Sequence, residues 1–208
     1  LMNLGVRASD IFQSNAVIWV EGPSDRIYIN KWIELYSNGN LKENIHYQIL
    51  FYGGKLLSHL TGKLDDSNEL IQLFKANVHS IIVIDSDKTN PNKKINKTKQ
   101  RIRKEFNKNQ AIVWITQGKE IENYLSRNIF KKTYNVDKQI GQYEKIDDFL
   151  NKNSRKKNMG NYYVTHKVSE SISIVKEMLL EDTNVLDLEK QISTIVKQLK
   201  NWNGIQSD

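Results

Sequence analysis

The sequence predicts an α/β fold: a central parallel sheet of about four strands flanked by helices, with a helical C-terminal appendage. Three observations carry this. Four short apolar runs are continuous rather than alternating, which is how strands buried on both faces read. Helical periodicity separates them, so strand and helix patterns alternate. Acidic residues cluster just past the runs, at the edge where an open parallel sheet binds ligands.

Residues 1–15 (LMNLGVRASDIFQSN) form a mixed lead-in that reads as the end of a connection, which predicts a fragment of a longer chain. Residues 16–20 (AVIWV) are the first strand, and Glu21-Gly22-Pro23-Ser24-Asp25 is a turn rich in helix-start residues. Residues 26–36 place Ile29, Trp32, Ile33 and Tyr36 at helical spacing. The second strand is 47–52, ended by Gly53-Gly54-Lys55, with helical patterns over 55–61 and 66–76. The third is 80–84, with Asp85-Ser86-Asp87 at its carboxyl end. A basic loop follows over 88–98, then a helix over 98–108. The fourth is 111–116, followed by Gln117-Gly118-Lys119 and a short helix holding Glu120 and Glu122. The crossovers should be right-handed. Beyond about residue 125 the strand signals fade, and 145–153, 166–181 and 186–201 read as helices, with 151–161 a mobile loop.

The chain of 208 residues is long enough to bury one sizeable core. A net charge of +7 favours polyanionic partners. The absence of cysteine excludes disulfides, Cys-zinc sites and thiol nucleophiles. With no signal peptide and no apolar run near the ~18 residues of a span, the chain reads as cytoplasmic and without a membrane role.

Glu21, Asp85, Asp87, Glu120 and Glu122 all follow strands, so all are expected on one edge of the sheet. The spacing of Asp85 and Asp87 points both side chains to one side in an extended or turning segment, where like charges call for a cation or a proton. Magnesium suits such oxygen ligands. Glu21 and Asp25 are four apart, so one helical turn brings them together. By itself, an Asp-x-Asp after a strand reads as a loop with helix-capping acids, and it is three acidic clusters on three strand ends that favour a metal site. Gly53-Gly54-Lys55 reads as a phosphate site or an ordinary strand-to-helix turn. The densest basic run holds Lys93, Lys94, Lys97, Lys99, Arg101, Arg103 and Lys104. It reads as a nucleic-acid backbone track or a solvated helix face; Arg155, Lys156 and Lys157 carry the same two readings. Trp19, Trp32 and Trp114 fall on core positions, and His46, His59 and His79 read as structural.

The segments Trp19-Val20-Glu21-Gly22-Pro23-Ser24-Asp25, Phe51-Tyr52-Gly53-Gly54-Lys55, Ile82-Val83-Ile84-Asp85-Ser86-Asp87 and Glu120-Ile121-Glu122-Asn123-Tyr124-Leu125 occur in this order. Together they resemble the Toprim (Rossmann-like) domain of the OLD-family (overcoming lysogenisation defect) ATP-dependent nucleases. The likeness divides the chain into the lead-in, a catalytic core over 16–126 and a helical region over 127–208. It implies an endonuclease or nickase using two ions of Mg²⁺ or Mn²⁺, with Ca²⁺ as a non-productive or regulatory occupant. Glu21, Asp25, Asp85 and Asp87 would hold metal, Ser86 would add a hydroxyl, and Glu120 and Glu122 would complete a second site. Glu21, Asp85, Asp87 and a lysine from the helical region, best matched by Lys167, would be catalytic. Lys55, Lys93, Lys94, Lys97, Arg101 and Arg103 would contact DNA.

The family joins this domain to an upstream ABC-type ATPase domain, whose Walker A motif is missing here. Its members act in anti-phage defence or DNA processing, some with a partner protein or as homo-oligomers. Primase-like nucleotidyl transfer, RNA cleavage and a non-catalytic interaction domain are the competing readings.

Overall fold

The computed structural model describes residues 14–53, 79–106 and 111–206. Within them a four-stranded, wholly parallel sheet runs in the order β2-β1-β3-β4. The strands are β1 (Val17–Val20), β2 (Gln48–Phe51), β3 (Ser80–Ile84) and β4 (Ile112–Ile115). The central pair, β1 and β3, is buried at every position, whereas β2 and β4 lie at the sheet's margins and are half-exposed at their ends. That is why the two inner strands read as unbroken apolar runs.

Alternation along the strands divides the interior in two. Val17, Trp19, Leu50, Ile82 and Ile84 face one side, where they meet Ile102 and Phe106 of α2 (Lys97–Phe106). Ile18, Val20, Ile49, Ile81 and Val83 face the other. There they meet Tyr28, Ile29, Trp32 and Ile33 of α1 (Pro23–Tyr36). This second side is the larger core, and it extends without a break into the C-terminal helices: α3 (Arg127–Tyr134), α4 (Ile146–Asn153), α5 (Met159–Thr165), α6 (Lys167–Lys176) and α7 (Leu188–Trp202). Helix α1 is sandwiched between the sheet and α6 and α7. The helical region is therefore packed into the fold and shares its main core with the sheet.

Two of these helices go beyond the sequence reading. Helix α3 is capped by Ser126, whose hydroxyl accepts from Ile129 N at 3.1 Å, and is closed by Asn135 in the left-handed conformation. Helix α5 begins inside the loop expected over 151–161 and takes its last three residues. Asn158 turns the chain left-handed at φ +58°, and Gly160 then lies so close to α4 that a Cβ would meet the Asp147 carbonyl oxygen at 2.0 Å. The helix expected over 166–181 stops at Lys176, and a separate 3₁₀ turn follows at Leu180–Thr183. The helices expected over 55–61 and 66–76 lie outside the described residues. No described helix is long and apolar enough to cross a membrane.

Candidate active site

The parallel sheet delivers its acids to one edge. Glu21 follows β1, and Asp25 sits in the first turn of α1, where its Oδ2 accepts from Gly22 N at 3.0 Å. This local cap faces the helix dipole with a carboxylate and fixes its direction. Asp85 follows β3. Glu122 lies in a 3₁₀ turn (Ile121–Tyr124) beyond β4 and has no exposed surface. Gly53, past β2, packs its Cα against Glu21. A Cβ there would meet the Glu21 carbonyl oxygen at 2.4 Å, so the glycine reads as support for the acid. Gly54 and Lys55, the rest of that expected phosphate turn, fall outside the described residues.

The carboxylates disturb one another as their convergence requires. Burial and the neighbouring charges of Asp25, Glu21 and Glu122 push the Asp85 carboxyl well above its ordinary range. Burial and Glu122 raise Asp25 to about 7. Burial and Asp87 raise Glu21. Burial and Glu122 raise Glu120 to about 7, even though its Oε1 accepts from Ile146 N at 2.8 Å at the start of α4.

Lysines meet the cluster from two directions. Lys167, the first residue of α6, places Nζ 2.8 Å from Glu122 Oε1. Burial pulls its ammonium pKa down, but Glu122, Asp25 and Asp85 outweigh this and leave it raised. Tyr163 also donates to Glu122 Oε1, at 3.2 Å, and its hydroxyl is joined to that of Tyr28 at 3.0 Å. Glu122 Oε2 is buried and has no partner.

The second lysine, Lys99, was grouped in sequence with the basic run. Instead it is buried, 3% exposed, with Nζ donating to the Asp85 carbonyl at 2.7 Å and to the Asp87 carboxylate. The signal for this lay in α2, where Thr98, Lys99, Ile102 and Phe106 form the buried stripe at helical spacing.

Asp87 departs from the direction it was expected to share with Asp85. At φ +54° the chain turns left-handed, so the Asp87 side chain swings outward, 62% exposed, onto Lys99 while Asp85 stays inward. A left-handed aspartate costs on the order of 1 kcal/mol, which the Lys99 contacts offset. Ser86, expected to offer a hydroxyl to metal, directs it instead to the Gly118 carbonyl at 2.5 Å, while Ser86 N donates to Thr116 Oγ1 at 2.8 Å. These bonds brace the β3 loop against the β4 loop. The site thus has an inner group (Asp25, Asp85 and Glu122 beside Lys167) and an outer group (Glu21 and Asp87 beside Lys99).

The donor chemistry fits a hard divalent cation: clustered carboxylates held above their ordinary range, and one buried oxygen without a partner. Among the described residues, however, no three acids or histidines already stand as a closed metal-holding set, so a cation would have to draw the acids together.

The remaining basic candidates separate by exposure. Lys93, Lys94, Lys97, Arg103 and Lys104 are exposed and Arg101 is half-buried. Arg155, Lys156 and Lys157 are exposed in the turn between α4 and α5. Trp19, Trp32 and Trp114 are buried packing residues. His79 stacks on Trp202 at 4.7 Å, and His166 on Tyr162 at 4.2 Å. His59 lies outside the described residues.

No family model, curated protein or solved structure matches the chain.

Proposed function

We propose that the chain is a divalent-metal-dependent phosphodiesterase that cuts DNA, the nuclease part of an OLD-family type of ATP-dependent enzyme serving anti-phage defence or DNA processing. One observation carries the reading. Carboxylates from the ends of β1, β3 and β4 meet at one edge of the sheet, together with a lysine from the far end of the chain. A structural salt bridge would balance its charges, whereas here acids outnumber the lysines beside them.

Asp25, Asp85 and Glu122, with Glu21 and Asp87 beside them, would hold Mg²⁺ or Mn²⁺. Such an ion would supply Lewis acidity and a nucleophile from water at neutral pH. Lys167 stays charged beside Glu122 and would face the extra negative charge that builds on a phosphate during displacement. Without an ion, Asp25, raised to about 7, keeps its proton up to near neutrality, and a bound ion would displace it. Lys99 fixes the backbone that carries Asp85 and Asp87.

The test is incubation with supercoiled plasmid and Mg²⁺ or Mn²⁺, with EDTA as the control. Metal-dependent nicking or linearisation is expected, and Asp85→Ala should abolish it while circular dichroism stays unchanged. Cleavage at the wild-type rate by Asp85→Ala refutes the assignment, and RNA cut in preference to DNA moves the substrate to the competing reading.

A further inference from the structure

Beside the acids lies a groove of about 580 Å³ whose lining includes Lys88, Lys94, Arg103 and Gln117. It adjoins the site by bonding as well as by position. Lys88 directly follows Asp87, and Gln117 follows Thr116, whose hydroxyl holds Ser86 N at 2.8 Å. Among the described residues three cations line the groove and no carboxylate does, although acids crowd the adjoining loop. Lys94 and Arg103, ten residues and more apart from Gln117, are brought to it by the turn before α2 and by α2 itself. Lys93 and Lys97 are equally exposed and close in sequence, yet they do not line it.

We infer that this groove binds the sugar–phosphate backbone of a nucleic-acid strand and leads it to the acidic cluster. The inference rests on the nuclease reading and specifies how that site holds its substrate. The chemistry of the lining selects the ligand. Ammonium, guanidinium and amide groups suit phosphate oxygens. Among the described residues the lining contains no aromatic ring on which a base would stack and no carboxylate to accept from cytosine. Recognition is therefore of backbone and independent of base sequence, with the salt sensitivity of phosphate contacts.

Two double variants of the full chain test this, Lys94→Gln with Arg103→Gln, and Lys176→Gln with Lys190→Gln, the latter pair exposed on α6 and α7. Each removes two positive charges; only the first removes them from the groove. Binding of a fluorescein-labelled mixed-sequence oligonucleotide, as single strand and as duplex, is read by anisotropy across a salt series in EDTA, so that no cleavage is needed. The groove variant should lose affinity about tenfold or more and flatten the dependence of log K on log salt by about 2. The control variant should stay near wild type. Equal losses in both variants, or wild-type binding by the groove variant, overturn the inference, as does absence of binding by the wild-type chain. Failure of the nuclease reading shows separately, as binding through the groove without metal-dependent cleavage.

Discussion

Replacing Asp25 with asparagine should stabilise the metal-free chain at pH 8, and by less than half as much at pH 5. In the fold this carboxyl ionises at about 7, against an ordinary value of 3.8, because it is buried and faces Glu122. Between those values the folded chain keeps a proton that the unfolded chain has lost. Stability therefore falls as pH rises through that window, and the full penalty is present above it. At about 1.4 kcal/mol per pH unit, ionising Asp25 at pH 8 costs on the order of 4 kcal/mol.

Asparagine removes the charge and keeps an oxygen for Gly22 N, so the cap on α1 survives. Some of the penalty belongs to Glu122, which stays buried, so a return of about 2 kcal/mol is expected. In a chain of this size that is about 4–8 °C in Tm. Thermal unfolding followed by circular dichroism in EDTA at the two pH values measures it. Added Mg²⁺ should then stabilise the wild type at pH 8 more than the variant, because an ion that draws on Asp25 relieves the same repulsion. An equal rise at both pH values, or a lower Tm at pH 8, refutes the electrostatic account of the cluster.

Lys99→Met should lower stability by about 1–3 kcal/mol in urea titration, since it removes the donor to the Asp85 carbonyl and the partner of Asp87. An unchanged midpoint would show that the buried lysine does not hold the turn. Lys167→Met should reduce plasmid-cleavage turnover by about 100-fold or more, with a smaller effect on DNA binding. A change in binding alone would place Lys167 outside the chemistry. Gly53→Ala should impair cleavage and cost about 1–3 kcal/mol, because its methyl would overlap the Glu21 carbonyl. Wild-type activity at wild-type stability would mean that Glu21 tolerates displacement.

The sheet was legible because its strands are buried on both faces. Residues 80–84 and 111–116 read as strands, and β3 and β4 fall at Ser80–Ile84 and Ile112–Ile115. The gathering of Glu21, Asp85 and Glu122 followed from that topology alone. What escaped depended on geometry that spacing does not carry. Helix α3 had Ser126 and Asn135 as its punctuation, but only two of its eight residues, Ile129 and Phe130, are buried. Helix α5 begins inside a polar, lysine-rich stretch, and its start is set by a left-handed Asn158. A spacing of two, in extended or turning backbone, was expected to give Asp85 and Asp87 one direction, and one left-handed residue was enough to part them. Lys99 was hidden among exposed lysines until the buried stripe of α2 singled it out.

The shared core of sheet and C-terminal helices also sets an order of events during synthesis. The ribosome delivers the acids first; Lys167 emerges 45 residues after Glu122, and Leu188 to Leu199, which complete the common core, later still. A nascent chain therefore carries its clustered negative charge before it has either the ammonium that faces Glu122 or the helices that cover α1. The ammonium beside Glu122 and the helices over α1 therefore reach the site only when the last third of the chain has joined the rest.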